Sequence, residues 1–448
     1  MKGFLNKFFN NDLLYRSART FVLQVGGVGL SYLMILIISR FYGVEILGLF
    51  SLAIVILNIS SMLILAGLDT SAIKFIPGLL SSGDLKGVNS FYWKSLLHIL
   101  IAGIAISTIC YFGSYYIAVE LMHKQELIVY IKEVSVIILP FSIISFVAES
   151  IRANSNTVWW SVLKQIIIPF SFLCLTLIAW RFFPSLPDPI AMYSFGVFIS
   201  LLLAIIGFVI VNNKAKVPIS MLVLNHEPQY KTIRKIATPM FMFSSTLQLS
   251  QWINTIMLGI LGTAGDNGIF RVVERVSSVN ILVLVAVNAV LAPKIAATYA
   301  MNDLKTLHKH VQQSTKFIFW GSLPIQILLL IFCNPILDFF GADFGKGSTA
   351  IYIVIAGQLI NSMSGPVGQI LNMTSYQKYL RNISALGVLT TTVSSYFLIS
   401  YFGINGAAMT LLINSLLINL LCIFKIKKVF KFWAVYIPFY KPNTKNEI

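Results

Sequence analysis

Three charged residues, Arg271, Glu274 and Arg275, interrupt an otherwise apolar stretch, GIFRVVERVSSV at 268–279. At about 100° per residue they share one stripe of a helix with Ser278. A guanidinium can grip an oxyanion through paired hydrogen bonds. A neighbouring carboxylate can orient that guanidinium and stop it holding a ligand too tightly. Charges within a membrane span face the interior or a water-filled cavity, since lipid exposure costs about 2.5–3.5 kcal/mol per Arg even on the lenient insertion scale. Gly268 begins this helix, and Arg275 lies about 10 Å further along its axis. That depth suits a cavity better than snorkelling. Arg275 is therefore the leading anion-binding candidate, with Arg271 placed either at the cavity or at the interface and Glu274 as a modulating acid.

Other charges fall into weaker patterns. Lys164 sits several residues into an apolar run, WWSVLKQIIIPF at 159–170, and is a candidate cavity cation. Glu149 and Arg152, three apart, fit either a local ion pair or a cavity lining. Arg40, Lys132 and Glu133 fall at span ends and read as interfacial. The proposed spans contain Glu133, Glu149 and Glu274 against Lys94, Lys132, Lys164, Arg271 and Arg275. This balance favours an anionic substrate. Pro140, Pro169, Pro239 and Pro324 interrupt spans, and proline frees a helix carbonyl and permits bending. The motif SGPVG at 364–368 places Gly365, Pro366 and Gly368 as a candidate hinge. Cys110, Cys174, Cys333 and Cys422 lie far apart in apolar runs, with no metal-ligand spacing and no disulfide framework. No metal site or bound cofactor is expected.

The elements that must position these residues are membrane helices. The chain has 448 residues, 57% hydrophobic and only 11% charged, against about 25% charged in soluble domains. Apolar runs of the roughly 20 residues needed to cross a bilayer recur throughout. Spans are expected at 18–39, 47–66, 93–117, 130–149, 158–180, 189–212, 236–261, 268–293, 315–337, 349–372, 380–401 and 404–424. The first run is too long for a signal-peptide core and reads as a retained helix. Connections are short, which leaves no room for a soluble catalytic domain and argues against an enzyme. Basic residues concentrate on one side: the N-terminus (Lys2, Lys7, Arg16, Arg19), the loop at 213–235 and the region 294–316. The end of the chain (Lys425, Lys427, Lys428, Lys431, Lys441, Lys445) adds to the same side. By the positive-inside rule both termini are cytoplasmic. Topology accounts for most of the net charge of +17, so no nucleic-acid partner is required.

The two halves echo each other. GVEILGLF (43–50) matches GTAGDNGIF (262–270) in its glycines, its short acidic turn and its Phe. AIKFIPGLLSSGDLK (72–86) matches APKIAATYAMNDLK (292–305), aligning Lys74 with Lys294 and Asp84-Leu-Lys86 with Asp303-Leu-Lys305. Six spans per repeat return the chain to the same side, so the repeats are parallel. The expected organisation is an N-terminal lobe at 1–212, a cytoplasmic loop at 213–235, a C-terminal lobe at 236–424 and a basic tail at 425–448. Two six-helix bundles around a central cavity are transporter architecture.

Several ordered motifs resemble the bacterial polysaccharide transporters: SRFYGVEILGLFSLA, GLDTSAIKFIPGLLSSGDL, NGIFRVVERVSSV, NAVLAPKIAATYA and FFGADFGKGSTAIYIVIAGQLINSMSGPVGQILNMTSYQK. Their superfamily also contains MATE exporters, lipid II flippases and O-antigen flippases. The resemblance implies an all-α, MATE-like fold of about twelve transmembrane helices in the bacterial inner membrane. It implies an O-antigen-type flippase moving undecaprenyl-pyrophosphate-linked oligosaccharide by alternating access, for lipopolysaccharide or surface polysaccharide synthesis. The ligand of Arg275 would then be the pyrophosphate, and lipid II flippases carry a functional arginine at a place similar to Arg275. Arg271, Lys164, Arg152, Lys74 and Lys294 complete the expected substrate-binding set, with Glu274 and Glu149 as modulating or coupling acids. The resemblance leaves room for coupling to a proton or sodium gradient. It implies lipid-linked oligosaccharide as cargo, with membrane lipids, a polysaccharide polymerase and a chain-length regulator as partners. Twelve spans depart from the fourteen of lipid II flippases. The first span, ARTFVLQVGGVGLSYLMILIIS, lacks the coupling acid of many MATE exporters. The alternative, a MATE-like cation-coupled drug antiporter, would need a more acidic cavity.

Topology is directly testable. Reporter fusions after Lys235, Lys316 and Lys428 should report cytoplasm, and fusions near Lys124, Asp188 and Asp343 the outside. Reversal at two sites would rule out the twelve-span arrangement.

Overall fold

The computed structural model describes residues 12–182, 187–215, 217, 226–228 and 230–438, and among these the fold is helical with no strand. Lys2, Lys7, Lys216, Lys441, Lys445 and most of the basic loop at 213–229 lie outside the described residues. The helices are α1 (Asp12–Leu65), α2 (Leu68–Ser81), α3 (Leu85–Phe112), α4 (Leu127–Ala153), α5 (Thr157–Phe182), α6 (Pro189–Lys214) and α7 (Tyr230–Leu261). They continue as α8 (Ala264–Ser277), α9 (Ile281–Ala300), α10 (Leu304–Ile331), α11 (Cys333–Phe340), α12 (Ser348–Ser364), α13 (Val367–Asn372) and α14 (Gln377–Phe430). Each expected span coincides with helix over most of its length, several of them with a break inside or at one end.

Among the described residues, seven helices are long and apolar enough to cross a membrane. Two of them, α1 and α14, each cover two expected spans and are broken at Gly43 (φ 87°) and Gly403 (φ 54°). Only glycine adopts such a backbone without strain. Where the sequence predicts single spans, breaks also occur. The third ends at Phe112 and passes into a π turn at Tyr116–Leu121, and the ninth breaks at Phe332 between α10 and α11. The eighth is divided by a 3-10 turn at Ser278–Asn280 and bends again by 42° between Asn288 and Val290. Pro293 explains the second bend, since it lacks the N–H that the carbonyl of residue 289 would accept.

The chain forms two compact units. The first comprises the described part of Met1–Phe41 with Leu49–Ser245, and the second Tyr42–Gly48 with Thr246–Ile448. The division thus falls inside α7 rather than in the loop at 213–235, and a seven-residue piece of α1 belongs with the C-terminal half. In the first unit α4 packs against α2, α3 and α6, and α5 against α6. In the second α12 packs against α14, α10 and α8, and α9 against α10.

The short piece of α1 belongs to the second unit because of two glycines. A Cβ on Gly48 would collide with the carbonyl of Ala264 and approach the backbone of Gly268. A Cβ on Gly268 would collide with the carbonyl of Val44. These are the matching glycines of the two repeat motifs, and each lies against the backbone of the other's motif. The acidic turn of the second motif starts α8: Thr263 and Asp266 exchange capping bonds, with Asp266 N to Thr263 Oγ1 at 3.1 Å and Thr263 N to Asp266 Oδ2 at 2.8 Å.

The second repeat motif also has a structural reason. Asp84 accepts from Gly87 N at 2.8 Å and caps α3, while Asp303 accepts from Thr306 N at 3.0 Å and caps α10. The preceding residues, Gly83 and Asn302, both have positive φ. Asp84 also takes His226 Nε2 at 3.0 Å, which ties the described part of the 213–235 loop to α3. Lys94 Nζ donates to the carbonyls of His226 (2.7 Å) and Pro228 (2.9 Å) beside it.

The last segment is not a free tail. α14 carries Lys425, Lys427 and Lys428 to Phe430. Phe432 and Ala434 then join a buried cluster with Leu291, Leu307, Ile370 and Ile426. Tyr436 N donates to the Met363 carbonyl at 2.9 Å. The expectation of a basic tail from 425 is corrected accordingly: residues 425–430 are the end of α14, and Phe432 and Ala434 give the segment apolar area that the core accepts.

Two predictions follow from this packing. Gly48→Ala and Gly268→Ala should each lower the melting temperature in detergent, by an overpacking cost of about 1–3 kcal/mol, while Gly26→Ala, with nothing within 4 Å, should not. Equal melting of all three would remove the role assigned to the glycine crossing. The Gly87 N–H bond first, then His226, holds the Asp84 carboxyl below its ordinary value of 3.8. The stability from this cap is full above that value and is lost only as pH falls through the lowered one. Stability measured across the neutral range should therefore show no step from Asp84, and Asp84→Asn should introduce none there.

Candidate functional site

The second unit carries the arginine stripe on α8. Ile269, Val272, Val273 and Val276 are buried. A Cβ on Gly347, in the turn before α12, would meet the side chains of Ile269 and Val273. This apolar packing fixes the rotation of α8, and Arg271, Glu274, Arg275 and Ser278 remain partly accessible. Arg271 Nη1 lies 3.6 Å from Glu274 Oε2, with 38% and 22% of the two side chains exposed. Arg275 is in electrostatic range of the same carboxylate. Its backbone carbonyl accepts Ser278 Oγ at 2.7 Å, at the point where the helix tightens into the 3-10 turn. The stripe thus holds two guanidiniums and one carboxylate, a net cationic and partly dehydrated surface suited to an anion.

The first unit assembles a different group. Glu149 on α4 accepts Trp160 Nε1 at 2.9 Å, and lies 3.4 Å from Arg152 Nη1 and 3.9 Å from Lys164 Nζ. The Arg152 guanidinium stacks 4.6 Å above the Trp160 ring. Lys164 occupies a π turn at Val162–Ile166. There the approach of α1 is so close that a Cβ on Gly27 would meet Gln165 at 2.6 Å. π turns of this kind often mark functional positions.

Asp69 was missed by sequence reasoning. It lies at the start of α2, just after Gly67 (φ 85°), in electrostatic range of both Lys164 and Glu149. Its signal was the GLD step that ends the second apolar run. With Asp69 included, the group pairs two bases with two acids, so Lys164 is far more compensated than the sequence suggested.

The remaining candidates stand apart from these groups. Lys74 is exposed on α2, and Lys294 is exposed on α9. Gly365 (φ 67°) and Pro366 form the break between α12 and α13, while Gly368 lies within α13 with nothing near its Cβ position. Among the described residues no group of His, Cys, Asp and Glu is arranged to hold a metal.

Comparison with known proteins agrees with this architecture. The probable low-salt glycan biosynthesis flippase Agl15 of Haloferax volcanii is 22% identical over 158 residues, which span 35% of this chain and 34% of that protein. Among solved structures, the lipid II flippase MurJ in an inward closed conformation matches with a TM-score of 0.73 at 17% identity, over 92% of this chain and 87% of that one. An inward-facing multidrug resistance MATE family transporter of the MOP superfamily matches with a TM-score of 0.71 at 13% identity, over 92% and 98%. These structural likenesses establish a MATE-like helical fold. The MatE family model matches residues 239–397. The polysaccharide biosynthesis protein model matches residues 16–299, well over half the sequence, and the chain belongs to that family.

Proposed function

We propose that the protein is a flippase that moves undecaprenyl-pyrophosphate-linked oligosaccharide, an O-antigen or similar repeat unit, across the bacterial inner membrane by alternating access. The product serves lipopolysaccharide or surface polysaccharide synthesis, and both termini are cytoplasmic. The observation that carries this reading is the stripe on α8. Two arginines and one acid are held partly dehydrated by a buried apolar face behind them. Arg275 binds the pyrophosphate with its fork of donors, and Glu274 orients Arg271 and moderates the affinity. Membership of a polysaccharide biosynthesis family supports the class of cargo. So does the partial similarity to a glycan flippase. The protein works as a transporter and not an enzyme, alongside a polysaccharide polymerase and a chain-length regulator. Glu149 and Glu274 are the carboxylates through which a proton or sodium gradient would couple, and Gly365–Pro366 is the hinge. A MATE-like drug antiporter is the second reading, favoured by the MatE match over 239–397. The net positive charge of the α8 stripe weighs against a cationic drug.

A deletion strain should accumulate lipid-linked repeat units on the cytoplasmic face and lose surface polysaccharide. Arg275→Ala, at normal membrane levels, should cut flipping roughly 10- to 100-fold, the equivalent of about 1.5–3 kcal/mol in charge-assisted hydrogen bonds. Arg275→Lys should retain part of the activity, because charge survives without the fork. Full activity in Arg275→Ala would reduce the stripe to ordinary interfacial charge. A deletion strain that accumulates no lipid-linked units but becomes drug-sensitive would favour the antiporter.

A further inference from the structure

A second feature of the C-terminal unit lies away from the arginine stripe. Between α9 and α10 runs a cavity of about 750 Å³, within the size range of small-molecule sites. Its lining is graded. Val283, Val287 and Phe317 line one part, and Lys294, His310 and Gln313 line the other. The apolar end is closed where Gly321 meets Val283, its Cβ position lying 3.1 Å from Cγ1. From Val283 to Lys294 the groove follows α9 for about 16 Å. Its polar end lies next to the α9–α10 connection, on the side that the basic residues mark as cytoplasmic. Such a groove matches a molecule with an anionic head and one apolar chain, lying with its head at the inner membrane surface.

Resting on the flippase reading above, we infer that this groove is a loading site for the substrate lipid: Lys294 and His310 hold its phosphate while the first isoprene units lie along Val287 and Phe317. Charge complementarity selects a prenyl pyrophosphate over a zwitterionic phospholipid: Lys294 and His310 at the head end match a pyrophosphate better than a zwitterionic headgroup. Arg275 stands about 28 Å of helix away, beyond the apolar end of the groove. Cations therefore flank the apolar groove on both sides, one set to receive the head in the inner leaflet and the other within the membrane.

The test is site-specific photo-crosslinking in membranes of cells that make the lipid-linked glycan. A benzophenone side chain is placed at Val287, and at Leu389, which is 64% exposed on α14, as a reference. Captured lipid is identified by mass spectrometry. A prenyl-phosphate-linked species should be captured from Val287 and not from Leu389. Lys294→Gln combined with His310→Gln should lower its yield about tenfold, as expected for loss of charge-assisted contacts. If that double variant fails to reach the membrane, Ala286→Phe keeps Lys294 and His310, fills the groove and should lower the yield as much. Capture of phospholipid alone from Val287, or equal prenyl capture at both positions, overturns the loading site. Neither result touches the flippase reading when the same carriers still flip. That reading fails separately, if the deletion strain accumulates no lipid-linked units.

Discussion

The arrangement of the C-terminal unit depends on one steric constraint, the close approach of two backbones at Gly48 and Gly268. Each glycine leaves room for a carbonyl that any Cβ would displace. This draws residues 42–48 away from the rest of α1 and into the second unit. The break at Gly43, near the start of this segment, gives the chain the freedom to do so. The same contact sets where α8 begins, and with it the height and rotation of Arg271, Glu274 and Arg275. The position of the arginine stripe is thus a consequence of two missing methyl groups. The repeat motif read in the sequence is the part of the chain that needs those glycines.

Charge within the helices is managed in two different ways. In the first unit each base has an acid close by: Glu149 serves Arg152, Lys164 and the Trp160 indole, and Asp69 adds a second carboxylate. Taking charges out of water costs less when opposite charges and hydrogen bonds meet them, so this group is built to tolerate burial. On α8 the bases outnumber the acid, and the excess positive charge remains partly accessible. Compensation in one unit and excess in the other leaves the α8 stripe the better suited of the two to hold an anion.

The break at Gly365–Pro366 is framed by contacts from distant sequence. Thr315 Oγ1 lies 2.9 Å from the Val311 carbonyl and 3.3 Å from that of Ala434. A Cβ on Gly365 would strike the Thr315 side chain. The chain end bonds back to Met363 and stacks Phe432 on His308 at 4.4 Å. A hinge there would be held by α10 and by the segment after α14, so its motion would be coupled to residues about fifty and about seventy positions away in sequence.

The elements were legible in the sequence. Apolar run length is a local property, set by bilayer thickness and backbone hydrogen bonding, and each expected span coincides with helix over most of its length, whereas the breaks inside them at 278–280 and at Phe332 were not read. The two repeat motifs were also legible, because caps and tight turns demand particular residues: Asp at positions 84 and 303, positive φ at Gly83 and Asn302. The α8 stripe was legible from helical periodicity alone. The tertiary structure decided what periodicity cannot carry. Asp69 was overlooked because its partners, Glu149 and Lys164, are about eighty or more residues away and only packing brings them together. Residues 425–448 read as a basic tail because of their six lysines, whereas three of those belong to α14 and Phe432 and Ala434 find a core built from α9, α10, α13 and α14. The exchange of residues 42–48 into the C-terminal unit could not be read locally at all. It follows from the clearance between two backbones, a quantity that exists only after both helices have been placed.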